Sequence, residues 1–305
     1  DNYFFEKNFA ANNSYLYLSV CDGHGVEGHH VSTFIKQTLP KDMTNNLINK
    51  DILSDDPLAK TNIYSIITTT FLNVNQKLIK NEKINSFFSG STCVSLIYTP
   101  TRLITANIGD SRAVLGRFDP VSKKCISIDL SRDHKPSEED EADRIRKNNG
   151  RIKPFTDYET GEFIGPPRVW IMEEEIPGLA MTRSFGDKMA ATVGTISAPE
   201  IKEFSFNEED KFIIIASDGI WEFIESSECV NMIYPFYLKN DLKGCCEFLY
   251  QESKKRWIKE EEVIDDITII LIFLEYKEIQ QLLRINKNGH KYLANQNKLS
   301  NSKTN

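Results

Sequence analysis

The sequence predicts an α+β fold, a four-layer αββα sandwich in which helices flank two mainly antiparallel β-sheets. Strand-like segments occur early, midway and late in the chain, with helix-like segments between them. Four consecutive strand-like segments are separated by short turns, which favours hairpins over the long crossovers that parallel strands require. Two later segments are almost entirely apolar, as strands buried on both faces are.

The first half of the chain contains one strand, two helices and the run of four strands. Residues 15–20 alternate in polarity and lead into the turn 21–25, as a strand that ends in a turn does. Apolar residues recur at helical spacing over residues 31–39, ending before Pro40, and again over residues 63–78. The four closely spaced strands cover residues 92–98, 102–108, 111–118 and 125–130.

The second half begins with the clearest helix, over residues 136–149. Its first turns are acidic and its last turn is basic, as the helix dipole favours. Residues 151–178 have weak periodicity and several Gly and Pro residues, so we expect a long loop or flap over the surface. The two apolar strands cover residues 211–216 and 267–274, and a helix around residues 242–250 lies between them.

Length and composition fit one enzyme-sized domain, because 305 residues with 40% apolar composition can bury a sizeable core. No apolar run approaches the roughly 20 residues of a membrane span, and no signal segment is visible, so we expect a cytoplasmic or nuclear protein without a membrane span. We place the domain at residues 1–276 and a polar, basic, mobile tail at residues 277–305. The sequence opens in a segment that already looks structured, so we expect the N-terminal edge of the domain to lie before Asp1.

Charge and cysteine usage exclude two further classes. The net charge is −7, and six basic residues and one acidic residue lie after residue 276, so residues 1–276 carry about −12. Such a surface argues against nucleic-acid binding. The cysteines have neither the paired spacing of a metal site nor the density of a disulfide scaffold, so we expect reduced core thiols. They are Cys21, Cys93, Cys125, Cys229, Cys245 and Cys246.

Four aspartates lie at the ends of predicted strands, where side chains from different strands can converge. Asp22 and Asp218 follow strands, Asp265 precedes the last strand, and Asp110 lies at another strand end. Asp-Gly is also a common turn dipeptide, but four such positions together favour a metal site. Converging carboxylates must be neutralised, and hard oxygen ligands suit Mg²⁺ or Mn²⁺ rather than zinc.

Six ordered motifs contain or accompany these aspartates. They are Val20-Cys21-Asp22-Gly23-His24-Gly25, Ser89-Gly90-Ser91-Thr92, Gly109-Asp110-Ser111-Arg112, Leu179-Ala180-Met181-Thr182-Arg183-Ser184-Phe185-Gly186-Asp187, Ser217-Asp218-Gly219-Ile220-Trp221 and Asp265-Asp266-Ile267-Thr268. With these motifs the sequence resembles the type 2C (PPM, metal-dependent) protein serine/threonine phosphatases, from Asp1 to about residue 274. The resemblance implies a phosphatase that hydrolyses phosphoserine and phosphothreonine in protein substrates, in which a water that bridges two Mg²⁺ or Mn²⁺ ions would attack phosphorus directly. We expect a monomer.

The resemblance also implies the ligands of the two main cations. Asp22 would bridge both ions, and the Gly23 carbonyl would help to hold the second. Asp218 and Asp265 would hold the first ion, with Asp266 as a neighbour of the ligand.

Other positions of the family carry over with less complete matches. Asp110 matches a position of a weaker third metal, to which Asp218 would also contribute. Glu222 stands where the family usually has Asp, which puts that third site in question. Asp1 matches an N-terminal acidic residue that orders metal-bound water. The basic residue that many members place further upstream to grip phosphate is not in this sequence.

Four side chains near these motifs have both a functional and a structural interpretation. His24 matches the family's proposed general acid, although a lone histidine in a turn often only makes structural hydrogen bonds. Arg183 would orient the substrate or pair with Asp187 or another carboxylate. In the flap, Arg168 and Trp170 would contact peptide, or Trp170 would pack beneath the flap.

Two rival functions fit parts of the sequence. A calcineurin-like metallophosphoesterase shares the opening Asp-x-His pattern at Asp22 and His24, but it needs several further histidine ligands. A pseudophosphatase would keep the fold as a binding module, yet such proteins usually lose metal ligands, and here Asp218 and Asp265 are retained with Asp22. A metal-dependent phosphatase therefore remains the favoured function.

Overall fold

Two antiparallel β-sheets form the centre of the computed structural model, which describes residues 1–157, 159–261 and 263–274. In chain order the strands are β1 (Asn2–Lys7), β2 (Leu16–Cys21), β3 (Gly23–His24), β4 (Gly90–Ser91), β5 (Cys93–Tyr98), β6 (Arg102–Ile108), β7 (Arg112–Asp119), β8 (Lys124–Asp129), β9 (Gly150–Thr156), β10 (Phe163–Ile171), β11 (Pro177–Leu179), β12 (Phe185–Gly186), β13 (Glu200–Ser205), β14 (Asp210–Ala216) and β15 (Ile269–Phe273). The helices are α1 (Gly28–Leu47), α2 (Pro57–Ile79), α3 (Glu139–Lys147), α4 (Lys188–Ala191), α5 (Asp218–Trp221), α6 (Ser226–Leu238) and α7 (Leu242–Glu260).

The two central sheets pack on each other through a shared apolar layer. One sheet has the order β1-β2-β5-β6-β13 and the other the order β15-β14-β7-β8, with antiparallel pairing throughout. Leu18 and Leu96 of the first sheet lie in the same buried cluster as Leu115 and Ile213 of the second. Alternate residues of β2, β5, β7 and β14 point into this layer, as in other packed sheets.

Helices cover the outer face of each sheet, which confirms the predicted αββα sandwich. Helices α1 and α2 pack on the five-stranded sheet through one large buried cluster. Helices α6 and α7 pack on the four-stranded sheet through another. The helix expected to stop before Pro40 continues to Leu47, because Met43 and Leu47 extend its buried face and packing outweighs the local effect of the proline.

The flap is a small sheet, so the prediction of a long loop over residues 151–178 is wrong. Strands β9, β10 and β11 form an antiparallel sheet over a small core that includes Val169 and Leu179. Pairing between β9 and β10 is interrupted, and the register shifts between Ile164 and Arg168. This interruption breaks the alternation of polarity that would have revealed the strands in the sequence.

The two apolar strands differ in their surroundings. The segment predicted at residues 211–216 is β14, which is buried between two neighbouring strands as expected. The segment predicted at residues 267–274 is the shorter edge strand β15, most of whose side chains are only partly buried. Its side chains alternate between the two apolar layers, Ile270 and Ile272 on one side and Ile269, Leu271 and Phe273 on the other, so both faces are covered as expected, although less completely than those of β14.

The remaining expectations concern thiols, membrane spans and the tail. All six cysteines are free, and five of them are buried. None of the helices in the described ranges is long and apolar enough to cross a membrane. The predicted tail at residues 277–305 lies outside the described residues.

Candidate active site

Strand ends bring the four predicted aspartates to one place. Asp22 directly follows β2, Asp110 follows β6, Asp218 begins α5 just after β14, and Asp265 precedes β15. The charges on Asp218, Asp110 and Asp265 each contribute to raising the pKa of Asp22, so the four side chains lie close together. The convergence expected from the sequence is therefore present in the fold.

Burial and mutual repulsion make the charged form of these carboxyl groups costly. Burial, followed by the charge on Asp218, raises the pKa of Asp22 well above its usual range. The same two causes raise the pKa of Asp110 to about 7, while Lys135 opposes the shift. Burial raises the pKa of Asp218, and the charge on Asp265 adds to the effect. A nearby cation would remove this penalty.

Several oxygens of the cluster are buried without a hydrogen-bond partner, which is the arrangement a cation would complete. They are Oδ1 of Asp110, Oδ1 of Asp218 and both carboxylate oxygens of Asp1. Within the described ranges, no three His, Cys, Asp or Glu side chains form a ready-made coordination shell. Because carboxylates repel one another, the ligands of a cation are expected to lie further apart when the cation is absent than when it is bound. The unpaired carboxylate oxygens are hard donors that suit Mg²⁺ or Mn²⁺.

Two glycines allow the segments of this site to approach closely. A Cβ at Gly23 would lie 2.3 Å from the carbonyl oxygen of Gly28, so β3 can contact the start of α1 only without a side chain. A Cβ at Gly219 would lie 2.2 Å from the carbonyl oxygen of Asp266. Gly219 therefore lets the turn that carries Asp218 rest against the segment that carries Asp265.

Thr92 fixes the backbone of Asp22 from the neighbouring strand. The Thr92 amide donates to the Asp22 carbonyl at 2.8 Å, and the Asp22 amide donates to Oγ1 of Thr92 at 3.0 Å. Oγ1 of Thr92 also lies 2.7 Å from Oγ of Ser111. These bonds give Thr92 a structural role just before β5.

Asp1 lies beside Asp22 because of the pairing between β1 and β2. Asn2 pairs with Cys21 in this register, so the residues next to them are neighbours across the sheet. The amino nitrogen of Asp1 lies 3.0 Å from Oδ2 of Asp266. The structure thus brings Asp1 next to Asp22, and both of its carboxylate oxygens are buried there without a hydrogen-bond partner.

His24 is held by a carboxylate on the loop before α4. Its Nε2 lies 2.7 Å from Oδ2 of Asp187, and the hydroxyl of Ser184 donates to the same oxygen. Burial alone would lower the pKa of His24, but the Asp187 carboxylate raises it above the usual value for histidine. A protonated imidazole fixed beside Asp22 is able to act as a general acid.

Arg183 does not face the aspartate cluster, contrary to its predicted substrate-binding role. Its guanidinium binds the buried Glu141, with Nη2 2.6 Å from Oε1, and Nη1 donates to the Ala198 carbonyl. Arg183 therefore makes the structural ion pair that was the alternative interpretation, with Glu141 rather than Asp187 as the partner. Trp170 is 2% exposed and donates from Nε1 to the Lys153 carbonyl, so it packs within the flap.

The other histidines in the described ranges make structural contacts and do not line the space beside the aspartates. His134 is fully buried, and its Nδ1 accepts a hydrogen bond from the Gly109 amide. The rings of His29 and His30 are in contact on the first turn of α1, tilted by 41° to each other. In the part of the chain that the structure describes, the further histidine ligands that a calcineurin-like enzyme would need are therefore not gathered around Asp22.

A pocket of about 290 Å³ opens above the aspartates and adds residues that the sequence did not single out. Its lining includes Asp110, Asp218 and Asp265 together with Lys135, Arg168, Glu222, Pro166, Pro167, Ala180 and Trp257. Lys135 was missed, although its place between a strand end and the proline that starts a predicted helix is a signal for a loop at the same edge. Trp257 donates from Nε1 to the Gly219 carbonyl at 2.7 Å and so fixes the Asp218 turn.

Glu222, the unusual residue of the resemblance, pairs with Lys135. The Lys135 ammonium lies 3.4 Å from Oε2 of Glu222. Burial would lower the pKa of Lys135, but Asp110 and Glu222 raise it above its usual value, so it remains a cation. Among the described residues, this ammonium partly neutralises the side of the cluster where a weaker third cation was expected.

Comparisons with known proteins agree with this geometry. The family model for protein phosphatase 2C matches residues 1–260. The chain is 31% identical over 285 residues to probable protein phosphatase 2C 35 of Arabidopsis thaliana, covering 89% of this chain and 77% of that protein. It is 32% identical over 270 residues to probable protein phosphatase 2C 64 of Oryza sativa subsp. japonica, covering 88% of this chain and 61% of that protein.

Solved structures show the same fold at lower sequence identity. A serine-threonine phosphatase 2C from Toxoplasma gondii matches with a TM-score of 0.71 and 18% identity, covering 86% of each chain. A C. elegans sex determining protein matches with a TM-score of 0.67 and 19% identity, covering 92% of this chain and 63% of that chain. By its family model, its relatives and its fold, the chain belongs to the protein phosphatase 2C family, the metal-dependent protein serine/threonine phosphatases.

Proposed function

We propose that Asp22, Asp218 and Asp265 hold two Mg²⁺ or Mn²⁺ ions with which this chain hydrolyses phosphoserine and phosphothreonine in proteins. One observation carries the proposal: Asp110 and Asp218 have buried oxygens without a hydrogen-bond partner, they line an open pocket with Asp265, and all three charges act on the neighbouring Asp22. The Gly23 carbonyl would complete the second ion's ligands. Asp110 would contribute to a weaker third site, which competes with the ion pair between Lys135 and Glu222.

The cations and the residues around the cluster would have separate roles in this reaction. Divalent cations held here would activate a water and offset negative charge on the phosphoryl oxygens. Thr92 keeps the Asp22 backbone in place through two hydrogen bonds. The Asp1 carboxylate, buried and unpaired, accepts a proton from water near the cluster. His24, oriented by Asp187, donates a proton to the serine or threonine oxygen that leaves.

Phosphate release from a phosphothreonine peptide tests the proposal. We expect hydrolysis with Mn²⁺ or Mg²⁺, none in excess EDTA, and recovery when Mn²⁺ is added back. A matched phosphotyrosine peptide serves as the control substrate and should be cleaved poorly. Full activity in EDTA would contradict the metal requirement. Protein that binds Mn²⁺ but releases no phosphate would instead support a binding module that has kept the fold.

His24→Gln is expected to slow the phosphothreonine peptide far more than p-nitrophenyl phosphate. The peptide's alkoxide is a poor leaving group and needs a proton, and removal of a general acid costs roughly 10²- to 10⁴-fold. The activated ester leaves without that proton. Comparison of kcat for the two substrates tests whether His24 is the general acid. Equal losses of kcat would show that His24 has only a structural role.

A further inference from the structure

Arg168 is an arginine without a carboxylate partner, although it lines the pocket above the aspartates. Each of the other arginines in the described ranges forms an ion pair with Asp or Glu. Arg168 makes one hydrogen bond there, from Nη1 to the Gly178 carbonyl at 2.9 Å. A guanidinium has five N–H donors, so most of its donors are available to an anion in the pocket.

The chain reaches Arg168 through an irregular segment that turns the side chain towards the pocket. The pairing of β10 with β9 shifts register between Ile164 and Arg168. Gly165 in this segment has a φ of +70°, and the next two residues, Pro166 and Pro167, have no N–H to give to a ladder. Irregularities of this kind redirect side chains beside active sites. Both prolines line the same pocket as Arg168.

The carbonyl that holds Arg168 is itself fixed by the core of the flap. Gly178 has a φ of +71°, and a Cβ there would lie 2.8 Å from the ring of Trp170. Trp170 is buried and bound through Nε1 to the Lys153 carbonyl. The guanidinium is therefore held in place before a ligand arrives, which lowers the entropy cost of binding.

Arg168 is not among the residues that would hold the scissile phosphate. The aspartates lie at strand ends on the pocket floor, where bound cations would take that phosphate. Lys135 is the cation that acts on the carboxyl groups of Asp110 and Asp218, and it already pairs with Glu222. Arg168 approaches from the flap instead. It is thus placed to meet a second negative group of the substrate, next to the phosphorylated residue.

We propose that Arg168 selects phosphoprotein substrates with an acidic side chain close to the phosphorylated serine or threonine, by pairing with that carboxylate. The inference rests on the proposed phosphatase function and adds a substrate preference to it. Planar guanidinium and carboxylate groups can share two parallel hydrogen bonds, which gives the pairing direction as well as charge.

Two phosphothreonine peptides that differ only in having Glu or Lys within two residues of the phosphothreonine test the proposal. For the wild type, kcat/KM should favour the Glu peptide by roughly three- to tenfold, as expected for a partly exposed charge pair. Arg168→Glu should reverse the preference, Arg168→Ala should remove it, and Arg168→Lys should keep part of it. Arg146→Glu is the matched control, because Arg146 lies on the exposed side of α3 and outside the pocket.

Hydrolysis of p-nitrophenyl phosphate, which has no flanking residue, distinguishes the possible failures. We expect Arg168→Ala to lose several-fold more kcat/KM with the Glu peptide than with p-nitrophenyl phosphate. An unchanged peptide preference in folded Arg168→Glu protein would overturn the proposal. A loss of p-nitrophenyl phosphate hydrolysis equal to the loss with peptides would also overturn it, because Arg168 would then bind the scissile phosphate. A wild-type protein that cleaves none of these substrates with Mn²⁺ would refute the phosphatase function itself.

Discussion

Asp218→Asn is expected to reduce metal-dependent phosphopeptide hydrolysis by on the order of 10³-fold or more, since it removes a ligand of the catalytic cation. The same change should stabilise the metal-free fold. Burial raises the pKa of Asp218, and its charge is a main cause of the raised pKa of Asp22, so the ionised pair is costly near pH 7. A neutral amide of nearly the same shape removes that cost.

Thermal unfolding in EDTA measures the stabilising half of this prediction. We expect the Tm of Asp218→Asn to exceed that of the wild type by several degrees, because relief of about 1–2 kcal/mol shifts a domain of this size by roughly 2–8 °C. Asp133→Asn is the matched control, since Asp133 already pairs with Arg112 at 2.7 Å and should lose stability instead. A lower Tm for Asp218→Asn in EDTA would show that its charge is compensated without metal.

Glu141→Ala is expected to cause the largest loss of stability among single changes in this region. The Glu141 carboxylate is fully buried and binds the guanidinium groups of Arg144 and Arg183 and the hydroxyl of Thr182. Removal of one partner from a buried ion network leaves uncompensated charges and costs about 3–5 kcal/mol. The variant should therefore unfold roughly 6–20 °C below the wild type.

Glu139→Ala controls for loss of an acidic residue from the same helix. Glu139 is exposed and pairs with Arg146 at 3.0 Å, so its removal should cost about 0–1 kcal/mol. A Tm for Glu141→Ala that matches the Tm of Glu139→Ala would contradict the proposed role of the buried network.

The pH dependence of stability provides a second measurement on the same network. Burial would raise the pKa of Glu141, but hydrogen bonds from Arg144, Arg183 and Thr182 hold it well below its usual range. A carboxyl group with a lowered pKa in the folded state contributes stability that is present above its unfolded pKa, about 4.3, and is lost as the pH falls towards its folded pKa. The wild type should therefore lose stability more steeply than Glu141→Ala below about pH 4.5.

The sequence predicted the sandwich and the aspartate cluster because both follow from local patterns. Hairpins with short turns leave the ends of neighbouring strands at one edge, so Asp22, Asp110 and Asp218 could be placed together from strand positions alone. The flap was misread because Gly165 and two prolines interrupt the alternation of β10. Alternation of polar and apolar residues indicates a strand only where its pairing is regular, so an irregular strand such as β10 is missed.

Partners distant in the sequence could not be predicted from it. Arg183 pairs with Glu141, and His24 with Asp187, across turns whose mutual placement depends on tertiary packing. The role proposed for Arg168 could not be predicted from the sequence either. Its significance comes from the lack of a carboxylate neighbour in the described ranges, which no sequence pattern shows.

Binding of Mn²⁺ measured by calorimetry tests the central claim, that carboxylates at these strand ends hold the catalytic cations. The account predicts about two ions per wild-type chain, and it predicts that Asp218→Asn loses at least one of them while remaining folded. An identical isotherm for the two proteins, or no Mn²⁺ binding by an active wild type, would contradict it.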